Sequence, residues 1–327
     1  MVSIKLFYIY DFRANYITSN MKSSKNILKG IGSIVLSSLI FVGCGNDNKD
    51  NTEATNNVDT AKVETSVKDR PIQKFDNEIF SIPSPIQLGQ IIKNADIDYN
   101  DDLLNDPSAF NNYTDIVKQS LNLGVYGADL GYTVLYEKNQ KSIKYMKSVQ
   151  KLGTSIGISD AFDMETVNSI QRNLNNGNKD SLLYVISNAY RKADDFLQIS
   201  DRKYIGSLVV VGGWLESMYF AGILGLQDKS PEIQNMVGMQ KHTLNTIIDK
   251  MLIRYLSEPG VQEISDNLEK IRILLDEVEI KYEYAKPETD KENKLTKLKS
   301  HSSIEISDEL FVQIVDKIEE VRSSIIK

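Results

Sequence analysis

The sequence predicts an all-α protein, a multi-helix bundle with two glycine-rich central helices, preceded by a signal peptide and a polar tether. Three observations carry this. Apolar residues recur at steps of three and four in several long windows, the spacing of one helix face. Turn formers are scarce, with 7 Pro and 18 Gly in 327 residues, and no alternation runs long enough to specify a sheet. Two segments gather small residues on one helical side, where each glycine costs about 0.5–1 kcal/mol and needs a compensating gain.

Composition bounds the chemistry. With 41% hydrophobic and 25% charged residues the chain is globular. A net charge of −7 excludes a generally basic nucleic-acid binder. One Cys excludes an internal disulfide or a zinc site built on several thiolates, and two His cannot form a three-His metal site. No cofactor is implied.

The first element is a targeting segment. In residues 21–44, MKSSKNILKGIGSIVLSSLIFVGC, three lysines precede the 12-residue apolar run Ile31 to Val42. That run is too short to span a bilayer as a helix, which takes about 20 residues, but it suits a signal-peptide core. It ends in Phe41-Val42-Gly43-Cys44, which resembles a bacterial lipobox with Phe where Leu is usual. The resemblance implies cleavage before Cys44 and lipidation of its thiol. Residues 1–20 contain Asp11 and Arg13 and lengthen the basic start, so they read as an upstream extension with translation starting at Met21.

Residues 44–70 follow as a lipidated tether rich in Asn, Asp, Thr, Glu and Lys, with no aromatic residue and no apolar periodicity. Such a segment buries too little surface to offset its ordering entropy. Residues 1–43 hold five Lys/Arg and one Asp, a net of +4, so with −7 over the whole chain the remainder carries −11.

Residues 71–327 read as the helical domain. Ser84-Pro85 pairs a capping residue with a Pro suited to the first helical position. Residues 121–136, LNLGVYGADLGYTVLY, put Gly124, Ala128 and Gly131 on one side. Gly157 ends a helix, Asp163 caps the next, and Asn176-Gly177 ends it. Leu182, Ile186, Ala189, Ala193 and Phe196 mark another helix, and Asp201 restarts the chain. Residues 206–226, GSLVVVGGWLESMYFAGILGL, align Gly206, Gly213, Ser217 and Ala221. The β-branched run at 207–211 would suit a strand, but its continuation favours a buried helix. Either glycine-rich segment could break into half-helices, at Gly127 or at Gly212-Gly213. Ser230-Pro231 starts the next helix, which carries Leu244, Ile248, Met251 and Tyr255. Beyond Pro259, one face runs Ile264, Leu268, Ile271, Leu275, Val278 and Tyr282. Residues 286–303, rich in Lys, Glu, Asp and Ser, read as a mobile loop before a last helix marked by Phe311, Ile314, Ile318, Val321 and Ile325.

The chemistry-bearing residues lie in the glycine-rich segments. Asp129/Tyr132 and Glu216/Tyr219 repeat one spacing 87 residues apart, a hint of duplication. With Tyr126 and Trp214 they outline a candidate ligand pocket of Tyr126, Asp129, Tyr132, Trp214, Glu216 and Tyr219 between the two helices. The plain alternative is buried carboxylates satisfied by tyrosine hydroxyls or backbone amides. A catalytic version would use one acid with its pKa raised by burial and the other as base. His242 reads as a surface residue, and His301 falls in the loop. Asp98 to Asp106 lacks the spacing of a calcium-binding loop, and neither G-x-S-x-G nor a phosphate-binding glycine motif occurs.

The runs IPSPIQLGQIIKNA, LNLGVYGADLGYTVLY, AYRKADDFL and VGGWLESMYFAG resemble a family of uncharacterised helical lipoproteins of Bacteroidota over residues 82–226. The resemblance implies an envelope location and assigns no activity. The G-x-H-x-x-E signature of imelysin-type lipoproteins is not met: with Glu216 as its acid, Gly213 and Val211 stand at its His and Gly positions. The sequence thus points to a bacterial envelope protein, lipid-anchored in the outer membrane, with a non-catalytic binding or scaffolding role. Its partners are the membrane and a small molecule or envelope protein, not nucleic acid. The alternative is a small-molecule-binding or hydrolytic domain using Asp129 and Glu216.

Overall fold

The computed structural model describes residues 73–75, 78–80, 82–199, 202–290, 295–297 and 300–327. The extension, signal peptide, tether, Cys44 and Asp201 lie outside these residues. Nine α-helices occur among the described residues, and the all-α multi-helix bundle is the observed architecture.

A short antiparallel pair, β1 (Gln73–Phe75) and β2 (Glu78–Phe80), precedes the helices. Helix α1, Pro85–Asn94, begins as the sequence specifies: the Ser84 hydroxyl accepts from the Gln87 amide, and Gln87 Oε1 accepts from the Ser84 amide at 2.8 Å. Two 3₁₀ turns, Asp101–Leu103 and Ala109–Asn112, lead to α2, Ile116–Leu135. Asp115 caps α2 by accepting from the Lys118 amide at 2.8 Å. Helix α3, Asn139–Ser155, ends at Gly157, whose φ of +77° is the left-handed conformation that closes a helix. Asp163 caps α4, Met164–Asn175, through the Thr166 amide, and Gly177 at φ +64° follows it. Helix α5 spans Lys179–Ile199 and α6 spans Lys203–Asp228.

Ser230 and Pro231 open α7, Pro231–Thr246, which continues through a π turn at Ile247–Met251 and a 3₁₀ turn at Leu252–Tyr255. The change of pitch keeps Leu244, Ile247, Ile248, Met251 and Leu252 all buried. Helix α8 is Val261–Asp276, and α9 is Asp308–Ile326.

Both glycine-rich segments are continuous helices, with no break at Gly127 or Gly212-Gly213. Every residue of α2 from Ser120 to Leu135 is buried, and most of α6 is. A helix apolar on all sides is a core helix. Residues on one face of α2 share a core with α1, α6, α7, α8 and α9, and those on the other share a second core with α3, α4 and α5 and with Ile86 and Ile205 at the starts of α1 and α6. Helix α2 thus divides the core in two. Leu182, Ile186, Ala189 and Ala193 face that second core, as the spacing predicts. So do Phe311, Ile314, Ile318, Val321 and Ile325 of α9 toward the first.

Two expectations fail at the end of α8. The helix stops at Asp276, and Tyr282 lies in a strand, β3 (Glu279–Glu283). Residues 286–303 are not a plain loop: β4 (Glu288–Asp290) pairs antiparallel with β5 (Leu295–Lys297), and β6 (His301–Glu305) pairs with β3. Within 278–284 apolar and charged residues alternate, Val278, Ile280, Tyr282 and Tyr284 against Glu279, Lys281 and Glu283. That period of two specifies a strand. The helices belong to one compact unit, Val67–Lys281 with Ser303–Lys327, and Tyr282–Ser302 belong to a second. In the second, the Ser300 hydroxyl bridges the Ala285 amide and carbonyl at 3.0 and 3.1 Å.

Candidate functional site

The site begins where α2 and α6 cross. A Cβ added to Gly124 would lie 2.1 Å from the Val209 carbonyl oxygen and 2.5 Å from the Gly213 nitrogen. One added to Gly212 would lie 1.9 Å from the Leu121 carbonyl oxygen. Backbone meets backbone here, and only glycine permits it. The crossing is the one the small residues predict, centred near Gly124, about two turns away from Gly131. Gly131 instead receives Ile86 of α1, at 3.2 Å from its notional Cβ. Gly213 receives Pro85 at 3.0 Å and the Gly124 carbonyl at 3.4 Å.

This approach brings Asp129 of α2 and Glu216 of α6 together. Both have 0% exposed surface. Arg322 of α9 closes the cluster: its Nε donates to Glu216 Oε2 and its Nη2 to Glu216 Oε1, each at 2.6 Å. Nη2 also donates to the Leu103 carbonyl at 3.2 Å. The fork geometry of the guanidinium matches both carboxylate oxygens. Tyr219 lies over it, with the guanidinium carbon 4.0 Å from the ring centroid.

The two acids are not equivalent. Neither oxygen of Asp129 accepts a well-formed hydrogen bond. Its polar surroundings are the Glu216 carboxyl and the Asn105 backbone amide. Burial pushes the Asp129 carboxyl well above the usual carboxylate range, and the Glu216 charge adds to this, while Arg322 and Asn105 oppose it. Burial also raises Glu216, with Arg322 opposing. The guanidinium therefore favours the charge on Glu216, its bidentate partner.

The remaining candidate residues turn elsewhere. Tyr126 donates its hydroxyl to the Asp106 carbonyl at 2.6 Å. The Tyr132 hydroxyl accepts from the Asn100 amide at 3.0 Å, and its ring stacks on Tyr99 at 5.3 Å. Trp214 donates Nε1 to Gln240 Oε1 at 3.3 Å. The structure thus unites Asp129, Glu216 and Tyr219 and directs the polar groups of Tyr126, Tyr132 and Trp214 to other partners. Sequence reasoning missed Arg322, although a signal was present. Ile318, Arg322 and Ile325 continue the four–three spacing of the buried face, so an arginine occupies a core position.

The two carboxyls are dry, because a side chain without accessible surface touches no void large enough for water, while the Arg322 side chain keeps 8% of its surface exposed. An open, polar groove of about 220 Å³ lies between α4 and α5, lined by Glu165, Ser169, Asn188 and Lys192 among others. It contains none of the six candidate residues and falls below the 300–1,000 Å³ usual for small-molecule sites. Among the described residues, no three His, Cys, Asp or Glu side chains gather as metal ligands. No protein family, curated protein or solved structure matches this chain.

Proposed function

We propose that the protein is a lipid-anchored component of the bacterial envelope, tethered through Cys44 and carrying a helical domain with a binding or scaffolding role rather than a catalytic one. The observation that supports a non-catalytic role is the closed Asp129–Glu216–Arg322 cluster. General acid–base work requires a carboxyl within hydrogen-bond reach of a substrate proton. Here both carboxyls have no accessible surface, and Glu216 is committed to a bidentate ion pair. The envelope part rests on the order of lysines, apolar run and Cys44, and on the resemblance to helical lipoproteins.

Mass spectrometry of the membrane-extracted protein tests the anchor. The expected N-terminal residue is an acylated Cys44, with residues 45–70 behind it. More than one acyl chain is needed for stable anchoring. A mature protein that retains residues 21–43, free of lipid, would contradict the reading.

A further inference from the structure

The buried cluster has one cation for two acids. With both carboxyls ionised it would place a net negative charge in a dry core, which is costly unless paired. Arg322 satisfies both oxygens of Glu216, and no donor satisfies either oxygen of Asp129 with good geometry. The Glu216 carboxyl is nevertheless placed as a hydrogen-bonding neighbour of Asp129. Two carboxylates cannot hydrogen-bond to each other, whereas a carboxylic acid donates to a carboxylate.

We propose that Asp129 is the protonated member of a carboxylic acid–carboxylate pair with Glu216, and that this proton is a latch holding the junction of α2, α6 and α9 closed. Its loss to solvent leaves two ionised carboxyls against one guanidinium and loosens the docking of α9.

The groups facing Asp129 give no other source of compensation. Glu216 acts on it from α6 and Arg322 from α9, while Tyr145 on α3, Tyr99 before the first 3₁₀ turn and Tyr126 on α2 itself lie within reach of its charge with their hydroxyls bonded to other groups. Burial holds all three tyrosines above their ordinary range, so they stay neutral. Burial opposes the charge on Arg322, but Glu216 more than offsets this and keeps it cationic.

The sign follows from linkage. The folded state holds a proton that the unfolded chain releases above about pH 4. The contribution is complete below that pH and declines as pH rises toward the raised folded value. The folding equilibrium constant falls by up to tenfold per pH unit over this window. Asp129→Asn preserves shape and a donor to Glu216 but cannot titrate.

Denaturant unfolding of the full chain in detergent, parent against Asp129→Asn between pH 5 and pH 9, tests the latch. The ratio of the two folding constants should fall tenfold or more as pH rises, with α9 amides losing exchange protection in the parent alone. A ratio independent of pH would overturn the proposal. If Asp129→Asn does not fold, infrared spectra of the parent at pH 7 decide. They should show the C=O stretch of a buried carboxylic acid, removed at high pH and in Glu216→Gln, where Arg322 is free to pair with Asp129. Carboxylate bands alone would overturn it.

Discussion

Arg322 sets the character of the central cluster. A buried ion pair is weak evidence for net stability, but removing one partner leaves an uncompensated charge and is strongly destabilising. Tyr219 contributes through its ring face, 4.0 Å from the guanidinium carbon. Tyr219→Phe keeps that face, and its unfolding free energy should stay within about 0.5 kcal/mol of the parent. Tyr219→Ala should lose about 0.5–2 kcal/mol from the cation–π contact alone, plus packing. Equal losses in the two variants would mean that the hydroxyl, not the ring, is what matters. At this scale the sequence was partly legible. Asp129 and Glu216 stand out as acids in apolar, glycine-rich runs. Their partner lies 106 residues beyond Glu216, and only its position on the apolar face of α9 marked it as buried. Asn122 is a parallel case on α2, donating to the Ile325 carbonyl of α9 at 2.9 Å.

Helix caps and periodicity were the most legible elements, because both depend on neighbours within four residues. Ser84→Ala removes half of a capping box and should cost about 1 kcal/mol in a denaturant melt, within the usual 0.5–2. A cost near zero would mean that Pro85 alone fixes the start of α1. The glycine-rich helices were legible as a close crossing, though the residue at its centre was not. Spacing alone puts Gly124 and Gly131 on the same side, and only the crossing geometry separates them. Gly124→Ala would raise intrinsic helix propensity by about 1 kcal/mol. Its new methyl, however, would meet the Val209 carbonyl and the Gly213 nitrogen. Backbone atoms cannot rotate aside, so overpacking of about 1–3 kcal/mol or more should dominate. A variant more stable than the parent would refute the close approach. The strand β3 was misread because Leu275, Val278 and Tyr282 also fit steps of three and four. The alternation from Val278 to Tyr284 fits better, but the segment is short and continues a helical face.

Across the whole molecule, α2 and α6 form the shared wall of both cores; Arg322 fastens α9 to α6 through Glu216, and Asn122 ties it to α2. The β4–β5 hairpin is a separate feature of Glu-, Thr- and Lys-rich strands. Replacing residues 286–299 with a short turn should change the unfolding free energy of the helical unit by less than about 1 kcal/mol, since loop length acts only logarithmically. A larger loss in calorimetry or denaturant melts would mean that the hairpin supports the helices. The Asp129–Glu216–Arg322 cluster acts as a structural junction, with Glu216 and Arg322 committed to each other. A double-mutant cycle on equilibrium unfolding with Glu216→Leu, Arg322→Met and the pair together tests it most directly. Arg322→Met alone should cost about 3–5 kcal/mol by stranding the Glu216 carboxylate in the core without its cation. The double variant should recover most of that loss, a coupling of at least about 2 kcal/mol. Small, additive costs for both single variants would contradict the claim, because they would show that Glu216 and Arg322 are free to face solvent or a ligand.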